Sequence, residues 1–339
     1  MRVLVCGGAG FIGSNFTRRS LARHEDWEIV CLDALTYAGN LDNLKPVADA
    51  PRFTFVHGDI RDRDAVEDAV RGADAIVNFA AETHVDRSIA EPEAFLTTDI
   101  LGTHTLLEAV RAHGIARMVQ VSTDEVYGSI DAGSYCETDR LAPTSPYSAS
   151  KAGADLQVLA YFHTYGLPVV ITRGSNTYGP YQYPEKLIPL FVTNAIEGGK
   201  LPLYGDGLNV RDWLHVDDHS DGIEAALLRG RVGEVYNIGG GNERTNREIT
   251  GIIIDELGLT DTIVERVADR PGHDRRYSID CAKASSDLGW VPAVDFEPGL
   301  RDTIRWYADN PWWWTKIKHQ TAEFADWRRR WYEERESDA

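Results

Sequence analysis

Arg2-Val3-Leu4-Val5-Cys6 runs directly into Gly7-Gly8-Ala9-Gly10-Phe11-Ile12-Gly13, and this stretch decides the fold. An unbroken apolar run followed at once by clustered glycines reads as a short strand, buried on both faces, that ends in a tight turn. A helical period follows over Ile12–His24. Working outward, the same alternation recurs. Glu28–Asp33, Phe53–His57, Ala75–Phe79, Met118–Ser122 and Pro168–Arg173 read as strands, and Arg63–Val70, Ala94–His113 and Ser148–Tyr165 as helices between them. Strand–helix–strand repetition implies right-handed crossovers and a parallel sheet covered on both faces, an α/β doubly wound architecture. Beyond Gly174 turns crowd together, at Gly179-Pro180, Gly198-Gly199, Gly205-Asp206-Gly207 and Gly239-Gly240-Gly241. This texture predicts a smaller α/β lobe. Val235–Ile238 reads as a strand returning to the main sheet, so the two lobes interleave: residues 1–174, rejoined by 208–240, against mainly 175–339.

The chain has 339 residues, 43% of them hydrophobic, enough for two such lobes. No apolar run reaches the roughly 18 residues of a membrane span, and the N-terminus lacks the pattern of a signal peptide. A net charge of −18 disfavours nucleic acid and anionic membranes as partners. It leaves room for a small anionic ligand, because clustered arginines dominate within a Debye length of roughly 8–10 Å. The four cysteines, Cys6, Cys31, Cys136 and Cys281, are scattered, form no metal-type pair and read as free thiols in a reducing cytoplasm. Trp306, Trp312, Trp313, Trp314, Trp327 and Trp331 are expected to cover the second lobe's hydrophobic surface or an interface. The charged end, Arg328–Ala339, is expected to fray.

The glycine turn contains Gly8-x-Gly10-x-x-Gly13 and, in an overlapping register, Gly7-x-x-Gly10-x-x-Gly13. Glycines at this spacing permit the turn, let backbone approach a pyrophosphate and allow close helix–strand packing. The helix that follows aims its first N–H groups at the phosphates. Asp33 ends the second strand 20 residues past Gly13, where a carboxylate accepts from a ribose diol and repels a 2′-phosphate. This is a dinucleotide-binding Rossmann arrangement that favours NAD over NADP. Asp59 and Ile60, after the third strand, are placed to reach the adenine.

Tyr147-Ser148-Ala149-Ser150-Lys151 puts a phenol and an ammonium on one helical face. The ammonium lowers the phenol's pKa, so it can take a proton while an alcohol carbon gives its hydride to nicotinamide. With the glycine turn and Ser122-Thr123 at a strand end, these features resemble the extended short-chain dehydrogenase/reductase family, over nearly the whole chain. In that family a Ser or Thr at the end of the fifth strand binds the reacting hydroxyl, a role Thr123 fits. The resemblance extends the cofactor set to Gly7, Gly10, Phe11, Ile12, Gly13, Ala34, Leu35, Thr36, Ala80, Ala81, Thr98, Tyr147 and Lys151.

Asp124-Glu125 narrows the reading. A 4-epimerase carries no acid pair at that point, whereas an elimination needs an acid and a base. The segment resembles the dTDP-glucose 4,6-dehydratases. There the Glu takes the C5 proton, the Asp protonates the departing C6 hydroxyl, and bound NAD is regenerated in each turnover. Further segments match the same family. Thr83, His84 and Arg87 fall after the fourth strand, and Asn176, Lys186 and Leu187 lie in the substrate loop. Pro202, Leu203 and Tyr204 lie where the base is held, with the tyrosine face suited to stacking. Arg211 would grip the diphosphate, and Asn246, Arg270, His273 and Tyr277 complete the set. One departure is Thr177, where the family has Asn at a cofactor contact. The resemblance also implies a homodimer built on Ala94–His113 and the Tyr147 helix. Incubation with dTDP-glucose separates the readings by product mass: a dehydratase product is lighter by one water, an epimerase product is unchanged, and a decarboxylase product has lost carbon dioxide.

Overall fold

The computed structural model describes residues 1–329; Trp331 and all but the first two residues of the charged end lie outside the described residues. In chain order the strands are β1 (Arg2–Cys6), β2 (Glu28–Asp33), β3 (Phe53–His57), β4 (Ala75–Asn78), β5 (Arg117–Thr123) and β6 (Val169–Gly174). They continue with β7 (Asn176–Tyr178), β8 (Leu201–Tyr204), β9 (Val210–His215), β10 (Val235–Ile238), β11 (Glu243–Thr245) and β12 (Val264–Val267). Among the described residues, seven of them form a parallel sheet in the order β10-β6-β5-β4-β1-β2-β3. The doubly wound parallel fold read from the sequence is therefore present, and Val235–Ile238 pairs with β6 at the sheet's edge.

Side-chain alternation explains why these strands read as continuous apolar runs. Val3 and Val5 of β1 join Val77, Val119 and Val170 in the core on one face of the sheet. Leu4 and Cys6 join Ile76, Met118 and Ile171 on the other. With both faces covered, each such residue contributes on the order of 1.5–3 kcal/mol. Inside the sheet, Asn78 of β4 donates to Gln120 of β5 at 2.9 Å, satisfying two buried amides at once.

The helix expected at Ala94–His113 departs from a regular period. It opens at Pro92–Phe95, passes through a π-helical stretch at Leu96–Gly102 and becomes α-helical over Thr103–His113. The Ala94 start and the 3.6-residue period both miss this turn, which rotates the helix face by the extra residue a π-turn absorbs. Gly102 within it lies against Ile60, whose Cδ1 would stand 2.5 Å from a Cβ there. The Pro146–Tyr165 helix is fixed at its start by a capping box between Ser145 and Ser148 with Pro146 in the first turn, and is closed by left-handed Gly166.

The second lobe holds a three-stranded sheet, β11-β9-β7, and the parallel pair β12-β8. Its core takes in Tyr178, Phe191, Leu300, Ile304 and Tyr307, together with Trp313, Trp314 and Trp327. Trp313 is 1% exposed and Trp314 2%, so these two rings fill the lobe rather than cover its surface, while Trp312 is 41% exposed. Trp313 Nε1 donates to Asn43 Oδ1 at 2.8 Å, and Asn43 Nδ2 donates to the Ala9 carbonyl at 2.9 Å. This chain of bonds ties the C-terminal helices to the glycine turn. Arg18, on the helix after that turn, lies 4.5 Å over the Tyr181 ring and adds a second tie.

Two helical glycines give opposite expectations. A Cβ on Gly13 would stand 2.3 Å from the Gly7 carbonyl oxygen, whereas one on Gly251 would meet nothing within 4 Å. Gly13→Ala is expected to destabilise the protein by about 1–3 kcal/mol, and Gly251→Ala to stabilise it by about 0.5–1 kcal/mol. Urea midpoints of the two variants check both signs.

Candidate active site

A single crevice opens where the strand order reverses, at the C-terminal ends of β1 and β4. Gly7 adopts φ +75°, and a Cβ there would stand 2.6 Å from the Ala80 backbone nitrogen. Gly10 caps the Phe11–Arg23 helix without any side-chain hydrogen bond, so the first N–H groups of that helix face the crevice unspent. Phe11, Ile12 and Gly13 line the same wall. Asp33 accepts from the amides of Ala9 and Leu35, each at 2.8 Å, while burial pushes its carboxyl up. Ala34, Thr36, Asp59, Ile60, Ala80, Ala81 and Thr98 also line the crevice. Against the upward push of burial, the bonds from Arg61 hold Asp59 below the usual carboxylate range. Leu35, with φ +50°, packs instead against the small apolar cluster of Ala9, Cys31 and Leu44.

The catalytic candidates converge at the far end. β5 finishes at Thr123, whose Oγ1 accepts from the Glu125 amide at 3.2 Å and so caps the one-turn helix Asp124–Tyr127. The same hydroxyl donates to Asp124 Oδ1 at 3.2 Å. Tyr147, in the first turn of its helix, lines the same crevice as Thr123. One turn later the buried Lys151 donates to the Val121 carbonyl at 2.9 Å. Strand end and helix face thus present Thr123, Asp124, Glu125, Tyr147 and Lys151 to one space. Burial raises the Tyr147 phenol, and Glu125 and Asp99 push it further.

The two adjacent carboxyls have unlike surroundings. Burial raises Asp124 well above the carboxylate range, and Glu125 and Asp212 add to the effect more than Arg211 offsets it. Burial also raises Glu125, but there Arg270, Arg211 and Lys186 all favour the charged form. Surroundings of opposite sign divide a pair into an acid and a base.

Beyond Glu125 stands a cationic wall. Lys186 donates to the Thr83 carbonyl at 2.7 Å, and both residues border the crevice with Asn176 and Thr177. Arg211 lies 4.3 Å over the Tyr277 ring and donates to the Asp274 carbonyl at 3.0 Å. Arg270 pairs with Asp86 at 3.1 Å, and Tyr204 donates to the same carboxylate at 3.3 Å. His273 meets the Tyr204 ring edge-on. Pro202 and Leu203 share β8 with Tyr204, and Asn246 opens the helix after β11. Arg87 is engaged by Glu185 at 2.9 Å and sits 3.7 Å over the Tyr37 ring. Buried His84 is driven down by burial and by Lys186, Arg270 and Arg87, so it stays neutral. Leu187 begins the helix after Lys186.

The crevice also contains Glu185 and His219, which the sequence reading passed over, as it did Asp99 outside the lining. Buried Asp99 accepts from Ser150 Oγ at 2.6 Å and from the Glu82 amide at 2.9 Å. Burial pushes its pKa up to about 6. A signal existed, since Asp99 lies four residues after Phe95 and seven before Leu106, on the helix's apolar stripe. Among the described residues, no cluster of His, Cys, Asp and Glu suits a metal ion.

Comparison with known proteins matches this arrangement. The family model described as GDP-mannose 4,6 dehydratase matches residues 4–303. A dTDP-glucose 4,6-dehydratase of Streptomyces antibioticus is 54% identical over 327 residues, covering 95% of this chain and 97% of its own. The dTDP-glucose 4,6-dehydratase of Streptomyces venezuelae, solved with NAD bound, is 58% identical with a TM-score of 0.92, covering 94% of this chain and 100% of its own. That of Bacillus anthracis, in complex with NAD, is 54% identical with a TM-score of 0.88 over 94% of this chain and 100% of its own. The chain belongs to the nucleotide-sugar 4,6-dehydratases, and among them to the dTDP-glucose 4,6-dehydratase family.

Proposed function

We propose that this chain is an NAD-dependent hydro-lyase that converts dTDP-glucose to dTDP-4-keto-6-deoxyglucose. The observation that carries this reading is the opposed surroundings of Asp124 and Glu125 at one strand end, within reach of Tyr147 and Lys151. NAD fits the crevice, because a Cβ at Gly7 or Gly13 would meet backbone and Asp33 stands where the adenosine ribose hydroxyls would lie. When bound, NAD accepts a hydride from C4 of the sugar and gives it back at C6.

The protein's part is proton management and positioning. Thr123 holds the C4 hydroxyl and Tyr147 takes its proton, with the Lys151 ammonium favouring the phenolate. A C4 ketone makes the C5 hydrogen acidic. Glu125, held toward its charged form by three cations, takes that proton. Asp124, held toward its neutral form, protonates the C6 hydroxyl as it leaves as water. Arg211, Arg270 and Lys186 bind the diphosphate, and Tyr204 supports the pyrimidine. We read 1–174, rejoined by 216–240, as the cofactor lobe and the rest of 175–339 as mainly the nucleotide-sugar lobe; the expected return from 208 starts later, because β9 pairs with β7 and β11 rather than with the main sheet. A cytoplasmic location agrees with four free cysteines, two of them buried. Among the described residues, no helix is long and apolar enough to cross a membrane. Leu96, Leu101 and Leu156 are exposed apolar side chains on the two helices expected to pair, which supports a homodimer.

Asp124→Asn is expected to lower kcat by about 10²–10⁴-fold while C4 oxidation persists, so reduced nicotinamide accumulates on mixing with dTDP-glucose and its absorbance rises. Full turnover by this variant would remove Asp124 from the acid role. Because Asp124 must be protonated and Glu125 charged, and both pKa values are raised, kcat of the unaltered enzyme is expected to fall at acid pH as Glu125 takes up its proton and to fall again as pH rises through the pKa of Asp124. Light scattering at micromolar concentration is expected to give twice the chain's mass, and Leu156→Glu to give the mass of one chain.

A further inference from the structure

Two anchors for the nucleotide end of the substrate come from adjacent strand ends. β8 finishes at Tyr204 and β12 at Val267, and these two residues face one another in register. Arg270 follows Val267 by three residues. Among the described residues β8 and β12 pair only with each other. Two strands alone make a marginal sheet. The Tyr204 ring and the Arg270 guanidinium therefore need fastening from outside that sheet if a base and a diphosphate are to find them at a fixed spacing.

Asp86 supplies the fastening. It lies in the first turn of the helix Val85–Ala90, beyond β4 of the main sheet, and is 3% exposed. Its two oxygens are divided between the anchors. Arg270 Nη1 donates to Oδ1 at 3.1 Å, and the Tyr204 hydroxyl donates to Oδ2 at 3.3 Å. The neighbouring His84 Nδ1 stands 3.9 Å from Oδ2, beyond hydrogen-bond reach. A carboxylate is planar and rigid, so one anchor on each oxygen fixes their separation. A bond at the phenol oxygen holds the Tyr204 ring without covering its faces. His273 meets the edge of that ring at 6.0 Å and is itself held by Asp269 at 2.6 Å. A guanidinium carries five N–H donors, so the pairing with Asp86 leaves Arg270 donors for a diphosphate.

We propose that Asp86 is a positioning residue for the nucleotide, setting the distance between the base-holding Tyr204 and the diphosphate-binding Arg270 from a third segment of the chain. This rests on the assignment of those two residues to the nucleotide end. The steps of dehydration make no use of Asp86. dTDP engages both anchors at once and so senses their spacing, whereas the reacting carbons of the sugar lie against Thr123, Asp124 and Glu125. The effect of Asp86 therefore falls on binding and not on the chemical step.

Calorimetric titration of dTDP into the intact NAD-loaded enzyme, with steady-state kinetics alongside, tests the proposal. Asp86→Ala is expected to weaken dTDP binding about 10–100-fold and to raise KM for dTDP-glucose by a like factor, with kcat and bound NAD unchanged. Tyr204→Phe keeps the ring and loses the tether. It is expected to cost about tenfold in the unaltered chain and nothing more in Asp86→Ala. Asp86→Asn is expected to recover most of the binding, because its carbonyl accepts from Arg270 while its amide donates to the Tyr204 oxygen. Unchanged dTDP binding in Asp86→Ala, additive losses in the double variant, or a fall in kcat in place of a rise in KM overturns the proposal. Should Asp86→Ala fail to fold, Tyr204→Phe decides: weaker dTDP binding at unchanged kcat supports the tether, and unaltered binding overturns it. dTDP binding is read without turnover. A chain that bound dTDP through Asp86 yet made no 4-keto-6-deoxy sugar would overturn the proposed dehydration and leave the role of Asp86 standing.

Discussion

Backbone meets backbone where β1 gives way to the glycine turn, and the rest of the molecule is arranged around that contact. With φ +75° and no side chain, Gly7 brings the turn against Ala80 at the end of β4. The parallel sheet reverses its strand order between these two strands. A side chain here would push the strand ends apart and fill the trough where a dinucleotide lies. The consequences run in both directions. β2 supplies Asp33 on one side, and β5 and β6 supply Thr123 and Gly174 on the other. Asp33, Thr123 and Gly174, which follow Gly13 by 20, 110 and 161 residues, thereby face one crevice.

Within that crevice the decisive chemistry is the difference between two adjacent carboxyls. Neighbours in sequence, Asp124 and Glu125 face different company because a single helical turn after β5 aims one at Asp212 and the other at Arg270 and Lys186. Both pay the desolvation penalty of burial, so charge alone cannot assign them roles. The surrounding ions can. The same turn is held by the Thr123 hydroxyl, so the group that shapes the acid–base pair also lines the crevice with Tyr147.

Much of this could be read from the chain. β1, β2 and β3 were legible to the residue because each is a short strand-like run bounded by turns, the first two buried almost throughout. The Tyr147–Lys151 pair was legible because four residues bring two side chains to one helical face. Other features have no local signature. The π-turn at Leu96–Gly102 preserves the apolar residues a regular helix would show, so nothing in the spacing announces it. The pairing of Arg87 with Glu185 spans 98 residues and depends on two lobes meeting. The Thr177–His219 hydrogen bond at 2.8 Å likewise joins β7 to a helix reached only after β9. Trp313 read as surface cover because its counterpart, Asn43, lies 270 residues away.

That last bond has a mechanical meaning. Asn43 is clasped between the Trp313 indole and the Ala9 carbonyl, so the helix that seals the second lobe is fastened to the loop that cradles the dinucleotide. Any movement of that helix away from the loop breaks this clasp. A catalyst that oxidises and then re-reduces the same sugar gains from such confinement, since a coenzyme lost midway would strand the sugar as a half-finished ketone. Through the asparagine, the second lobe's helix and the dinucleotide loop hold one another in place.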